Sequence, residues 1–359
     1  MAERNTVRLL IIDDSALNRR TIAGFFSSHP EVEIVGMAAD GQEGLQLALT
    51  KNPTVITVDL EMPRLDGFGF LRLLMSNHPS PVIVISSHAA KDTVFRAMEL
   101  GALDFVAKPM DRISPDLSDI REDVIRKVLT ASQYNQNGLK NLCSSAPQTG
   151  LHYISHLDPT RVAEPAAKPY AKKIVVIGAS TGGPASLTRV LRSLPANLEA
   201  GIVIAQHMPP RFTTTFAERL DKLCPMTVCE MNTREMIRKG HVYLAPGDGD
   251  LEVSRSQSGY LVGRVPHDEA TRYTPSVNRL FISAGKAVGA DLLAIVLTGM
   301  GDDGALGASI VHANGGRILV ESEETAVIFG MPRSTIETGV PVQIRPLNMI
   351  ADRIAMFCR

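Results

Sequence analysis

Ile174-Val175-Val176-Ile177-Gly178-Ala179-Ser180-Thr181-Gly182-Gly183-Pro184 decides the fold of the C-terminal half. Four β-branched apolar residues in succession read as a strand buried on both faces. Small residues and glycines follow, then Pro184 opens a segment with Leu187, Val190, Leu191 and Leu194 at helical spacing. The stretch is a strand, a tight turn and a helix, with a hydroxyl at the bend. Gly178-Ala179-Ser180-Thr181-Gly182 also satisfies G-x-S-x-G, the pattern that holds a nucleophilic serine on a sharp turn before a helix. A side chain at its glycines would block both the bend and the approach of a substrate. Two plainer readings compete. Such a turn makes the corner in any doubly wound sheet, and it could cradle a dinucleotide. Against the second, Ser180 stands where G-x-G-x-x-G needs its middle glycine.

A serine nucleophile needs a base and an orienting acid, and both types occur after other candidate strands. Gly201-Ile202-Val203-Ile204-Ala205 runs into Gln206-His207-Met208-Pro209-Pro210. Leu292-Leu293-Ala294-Ile295-Val296-Leu297 runs into Thr298-Gly299-Met300-Gly301-Asp302-Asp303-Gly304. In open parallel sheets the loops at the carboxyl ends of the strands converge on one crevice. Ser180, His207 and one of Asp302 and Asp303 are therefore expected to meet. Taken singly, His207 reads as structural and Asp302-Asp303-Gly304 as a turn; three strand-end placements together are hard to attribute to chance.

These motifs, followed by Phe329-Gly330-Met331-Pro332, resemble the chemotaxis protein-glutamate methylesterase family, CheB. The resemblance implies Ser180 as nucleophile, His207 as base and Asp303, directly before the glycine, as the orienting carboxylate. Backbone N–H groups near Thr181 and Met300 are the candidates for the oxyanion hole; Thr181 is also a candidate to orient the histidine or cap the helix. The implied reaction is hydrolysis of γ-glutamyl methyl esters on the cytoplasmic helices of chemoreceptors, with deamidation of receptor glutamines and no cofactor for the esterase step. Secondary positions depart from the family pattern. Asp250 stands where a histidine is usual after Ala245-Pro246-Gly247, and Tyr273-Thr274-Pro275-Ser276-Val277-Asn278 replaces a His-Arg-Pro-Ser-Val-Asp-like run. Glu321 takes the place of a typical glutamine. The triad is untouched, so these changes bear on substrate more than on chemistry.

The N-terminal third alternates five apolar strands with helical segments. The strands are Val7 to Ile12, Glu33 to Ala38, Val55 to Val58, Pro81 to Ile85 and Asp104 to Ala107. This is a doubly wound parallel domain. Ser114-Pro115-Asp116 reads as the start of its last helix, with Ile120, Val124 and Val128 on one face. Its polar residues gather at strand ends: Asp13, Asp14, Asp59, Ser86 and Lys108. Three carboxylates drawn together repel unless a hard cation sits among them, and an oxygen-lined, water-accessible site suits Mg²⁺. A metal and a lysine also stabilise a phosphoryl group moving onto a carboxylate.

Together with Asp59-Leu60-Glu61-Met62-Pro63-Arg64-Leu65-Asp66-Gly67, the five resemble the receiver domain of two-component response regulators. That resemblance implies Asp59 as phosphoacceptor, with Asp14, Asp59 and the Glu61 carbonyl holding Mg²⁺ and Asp13 assisting through water. It further implies that Ser86 and Lys108 bind the phosphoryl group and that Phe105 is the aromatic switch residue; the plainer reading of Phe105 is a core aromatic.

The expected organisation is a receiver domain over residues 6–128, a linker over 129–172 and a catalytic domain over 173–359. The latter is an α/β domain with a mostly parallel sheet and a small antiparallel extension from Met226 to Met231, His241 to Ala245, Leu251 to Ser254 and Tyr260 to Val265. The linker is rich in proline and small residues; His152 and His156 within it are spaced like helical metal ligands, but a proline follows closely and no set of partner acids or cysteines is arranged around them. With 37 Lys plus Arg against 38 Asp plus Glu, a net charge of -1 gives no pull toward nucleic acid or anionic lipid. The 4 cysteines form no C-x-x-C and suit a reducing cytosol. A cytoplasmic monomer is expected, not inserted in a membrane, with a chemotaxis histidine kinase as phosphodonor and receptor helices as substrate. The competing class is a non-catalytic receiver-containing signalling adaptor. A nucleotide-binding or DNA-binding output domain is disfavoured by Ser180 in the glycine pattern, by the charge balance and by the lack of a helix-turn-helix signal.

Overall fold

A computed structural model describes residues 6–87, 91–108, 117–135, 137–139, 169–268 and 271–359. The proposed helix start at Ser114 to Asp116, and His152 and His156, lie outside these. The chain forms two compact units, Met1–Ser144 with Glu323–Phe329, and Ser145–Ser322 with Gly330–Arg359.

The first unit contains β1 (Val7–Ile12), α1 (Ala16–Phe25), β2 (Val32–Ala38), α2 (Gly41–Lys51), β3 (Val55–Val58), α3 (Gly67–Asn77), β4 (Val82–Ser87), α4 (Lys91–Glu99), β5 (Asp104–Lys108) and α5 (Arg121–Ala131). The sheet order is β2-β1-β3-β4-β5, with every pair parallel. Its central strands are apolar on both faces because helices cover both sides: Leu9, Leu10, Ile11, Val55, Ile56, Ile83 and Val84 are all fully buried. The chain runs outward from β1 in both directions, so the crevice of this sheet opens beyond the ends of β1 and β3.

The second unit contains β6 (Lys173–Ala179), α6 (Gly183–Arg192), β7 (Ala200–Gln206), α7 (Phe212–Leu223), β8 (Thr227–Glu230), β9 (Arg234–Met236), β10 (His241–Leu244), β11 (Gly249–Ser256) and β12 (Gly259–Pro266). It continues with α8 (Val277–Val288), β13 (Leu292–Val296), α9 (Ala305–Ala313), β14 (Arg317–Glu321), α10 (Gly330–Glu337), β15 (Gln343–Arg345) and α11 (Leu347–Cys358). The main sheet has the order β15-β14-β13-β6-β7-β10-β8, parallel throughout.

The antiparallel part is a separate three-stranded sheet, β11-β12-β9, and not an extension of the main one. β8 and β10, expected in that antiparallel extension, instead pair in parallel within the main sheet. The reason is β9, which crosses to the smaller sheet between them and returns the chain in the original direction. Phe212, Phe216 and Leu220 do lie on the buried face of α7, as their spacing requires. Among the described residues no helix is long and apolar enough to cross a membrane.

Candidate active site

β6 lies between β13 and β7, and the chain reverses its direction of travel across the sheet at the β6–β13 boundary. The three strands that carry Ser180, His207 and Asp303 are therefore immediate neighbours. Register tightens this further. Ala179 pairs with Gln206, so Ser180 and His207 each stand one residue past the same rung, and the His207 N–H donates to the Ala179 carbonyl at 3.0 Å. The Ser180 N–H donates to the Thr298 carbonyl at 3.0 Å, which brings the loop after β13 against the serine. That approach needs Gly299, where a Cβ would fall 2.7 Å from the Ser180 Cβ.

Asp303 is buried, and its carboxylate is fully engaged. Oδ2 lies 2.8 Å from His207 Nε2 and accepts from the Val277 N–H at 2.7 Å. Oδ1 accepts from the Asn278 N–H at 2.7 Å and the Ser276 hydroxyl at 3.4 Å. The first turn of α8 thus receives the carboxylate, and unpaired amides with the positive end of the helix dipole favour a negative charge there. The carboxylate of neighbouring, exposed Asp302 accepts from the Tyr273 hydroxyl at 3.5 Å, so of the two aspartates it is Asp303 that meets His207.

Because Nε2 faces Asp303, Nδ1 is the His207 nitrogen left for the serine. No hydrogen bond joins Ser180 Oγ to the ring in this structure; bonds of this kind commonly tighten only with substrate bound. Thr181 does not cap α6: Gly182, at φ 79°, occupies that position, and Pro184 sits in the first turn as its sequence place suggested. The Thr181 carbonyl instead accepts from the Thr298 hydroxyl at 3.1 Å.

The positions that depart from the family pattern surround this dyad. Asp250, fully buried, accepts from the Ser276 N–H at 2.6 Å and from Arg279 at 3.2 Å. Asn278 Oδ1 accepts from the Gly304 and Gly307 N–H groups and holds the start of α9. Glu321, also fully buried, accepts from the Thr298 N–H at 2.9 Å. Gln206 donates to the Ser180 and His207 carbonyls at 2.9 and 3.0 Å, tying the ends of β6 and β7 together. Its place in the Gln-His-Met-Pro run was the available signal, but the role depends on register and could not be read locally.

In the first unit, Asp13, Asp14 and Asp59 each present an oxygen within 4.8 Å of the others. Lys108 Nζ bonds Asp13 Oδ2 at 2.9 Å and also pairs with Asp59. Burial raises the Asp59 carboxyl above the ordinary carboxylate range, against the pull of Lys108. Burial would lower the Lys108 ammonium, but Asp59 and Asp13 outweigh it and hold the ammonium above its usual value. Ser86 Oγ, at the end of β4, is buried without a hydrogen-bond partner. Three oxygen donors that crowd one another, and a hydroxyl with nothing to bind, fit a divalent cation and an incoming phosphoryl group. The Glu61 N–H donates to Asp59 Oδ1 at 3.3 Å. Phe105 is buried on β5 in an edge-to-face contact with Phe95, the surroundings of a core aromatic.

Residues 175–354 match the family described as CheB methylesterase, and residues 9–114 match the response regulator receiver domain. The chain is 41% identical over 359 residues to "Protein-glutamate methylesterase/protein-glutamine glutaminase 1" of Myxococcus xanthus, covering 100% of this chain and 99% of that protein. It is 40% identical to the Geobacter sulfurreducens relative numbered 3, covering 98% of this chain and 97% of that protein. The crystal structure of the Thermotoga maritima CheB methylesterase catalytic domain is 40% identical with a TM-score of 0.50, covering 51% of this chain and 97% of that one. With its fold, its strand-end residues and its whole length all in agreement, the chain belongs to the CheB methylesterase family.

Proposed function

We infer that this chain is a phosphorylation-regulated protein-glutamate methylesterase and protein-glutamine glutaminase in which Ser180, His207 and Asp303 perform the chemistry. The observation that carries the reading is the 2.8 Å contact between His207 Nε2 and an Asp303 held by a helix N-terminus, one rung from Ser180. Ser180 Oγ attacks the γ-carbonyl of a methylated glutamate or a glutamine while His207 Nδ1 takes its proton. Asp303 stabilises the resulting imidazolium and keeps the ring in the tautomer that leaves Nδ1 basic. The proton passes to the departing methanol or ammonia, and water, deprotonated by the same imidazole, releases the glutamate from the serine. The Ser180 N–H is committed to the Thr298 carbonyl. The oxyanion donors are therefore sought in the Thr181 and Met300 N–H groups, each worth about 10²–10³ in rate.

Regulation belongs to the first unit. Asp59 is the phosphoacceptor, and Asp14, Asp59 and the Glu61 carbonyl would hold Mg²⁺ with Asp13 assisting through water, Ser86 and Lys108 binding the phosphoryl group, and Phe105 as the switch residue. Bound Mg²⁺ would neutralise charge on the phosphoryl oxygens. A chemotaxis histidine kinase supplies the phosphoryl group, and glutamyl side chains of chemoreceptor helices are the substrate. The protein works as a monomer in the cytoplasm. Methanol release from methylated receptor membranes tests the catalytic reading. Ser180→Ala is expected to lower the rate by 10³ or more, on the order seen when a triad member is removed; equal rates reject catalysis by Ser180.

A further inference from the structure

We propose that Tyr273 is a positioning residue for the general base: its ring holds the His207 imidazole flat, with Nε2 toward Asp303 and Nδ1 toward the serine, and favours the imidazolium formed in the reaction. The inference rests on the triad reading above.

The two rings are stacked with centroids 4.9 Å apart and planes 3° from parallel. At that separation parallel rings are offset, an arrangement two neutral rings adopt without gain in charge. Once His207 has taken the Ser180 proton, a cation lies over the electron-rich face of a phenol, and a cation–π attraction adds to that of the neutral stack. The stack is therefore stronger after proton transfer than before it, which is the condition for accelerating the step.

Position in the chain supports the same role. Tyr273 precedes α8 by only a few residues, and Ser276, Val277 and Asn278 bind Asp303. One six-residue stretch, 273–278, thus touches both the base and its acid. The loop after β13 is shaped to admit the phenol. At Gly301, φ is 90° and a Cβ would lie 2.3 Å from the Tyr273 hydroxyl oxygen. That hydroxyl donates to Asp302 at 3.5 Å while the ring face meets the imidazole, so the proposed action of Tyr273 runs through His207. Burial raises the phenol above its ordinary value, with Asp302 and Asp303 adding to the effect and Arg272 opposing it, so the ring is neutral when the enzyme works. The charged groups in play are Asp303, bonded to the imidazole, and Arg272 and Asp302 beside the phenol; Arg272 lies 5.4 Å from the ring centroid but is exposed, where solvent screens it.

The test measures kcat and KM for methanol release from methylated receptor membranes across pH, using the full chain with Mg²⁺ and acetyl phosphate. Tyr273→Phe keeps the face and is expected to stay within about twofold of wild type with the acidic limb of kcat/KM unmoved. Tyr273→Leu removes the face. It is expected to lose about tenfold in kcat, the scale of one desolvated cation–π contact, with KM little changed. Without the π face the imidazolium is less favoured, so the limb moves to lower pH. Trifluorophenylalanine at position 273, which keeps ring volume but weakens the negative face, is expected to move the limb the same way and guards against misfolding of the Leu variant. An unmoved limb in the fluorinated protein overturns the proposal, as does a Phe variant as slow as Leu. Ser180→Ala and His207→Gln are assayed alongside. Turnover surviving in them removes the triad reading and this inference with it; turnover lost there with the limb unmoved removes this inference alone.

Discussion

Asp303 serves two structures with one carboxylate: it orients His207 and it closes the first turn of α8. Asp303→Asn keeps the shape but presents only one oxygen, and its amide can donate to His207 and invert the tautomer. The expected loss in methanol release is on the order of 10⁴, the scale known for this change in a triad. The measurement is kcat at fixed pH with the fold checked by circular dichroism; a loss below tenfold contradicts the role assigned. At this scale the sequence disclosed residue types but not contacts. Ser180, His207 and Asp303 could be picked out as candidates because each follows a strand, and the ends of neighbouring strands converge. Asp302 and Asp303 could not be separated without the family pattern, since burial distinguishes them and adjacent positions share the same local sequence. Tyr273 stood out only as a departure, because a ring stack between residues 66 positions apart (273 minus 207) has no linear signature.

Among the elements, α8 has the most to hold. Its N-cap Ser276 accepts from the Arg279 N–H at 3.3 Å, and its own N–H is anchored by Asp250. Asp250→Ala leaves a buried donor unpaired and frees Arg279 from one of its two carboxylates, Glu252 being the other. The cost is about 1–3 kcal/mol. The expected outcome is a lower melting temperature for the second unit together with a lower kcat, because the turn that binds Asp303 loosens. A variant that melts lower yet turns over at the wild-type rate would detach the turn from catalysis. Long apolar strands and amphipathic helices were legible from period alone, among them β1, β3, β6, β7, β13 and α7. Other elements were not. β9 and β15 have 3 residues each, too few to show alternation. Ala305–Ala313 is nearly apolar all round and built from small residues, so no polar face marks it as a helix. The parallel pairing of β8 with β10 depends on where β9 goes, and nothing within either strand encodes that.

For the whole molecule, the raised Asp59 carboxyl carries a definite sign. A buried acid whose folded value lies above its unfolded one favours the folded state below the unfolded value. That stability is lost as pH rises through the folded value. Burial beside Asp13 therefore makes an ionised Asp59 costly to the first unit, and a divalent cation bound there would relieve that cost. Mg²⁺ is expected to raise the melting temperature of the first unit at pH 7 by a few degrees, corresponding to about 1 kcal/mol. Asp59→Asn is expected to abolish both that shift and the stimulation of methanol release by acetyl phosphate. Stimulation that persists in Asp59→Asn would move the phosphoacceptor elsewhere.

The outer strands of the main sheet are short: β15 has 3 residues and β8 has 4. Each offers a neighbouring copy too few backbone donors and acceptors to recruit another strand, and Pro346 directly after β15 removes one more donor. Crowding at high concentration should accordingly leave the two borders of this main sheet inert toward one another, sparing them the fibrous self-templating to which long bare borders are prone.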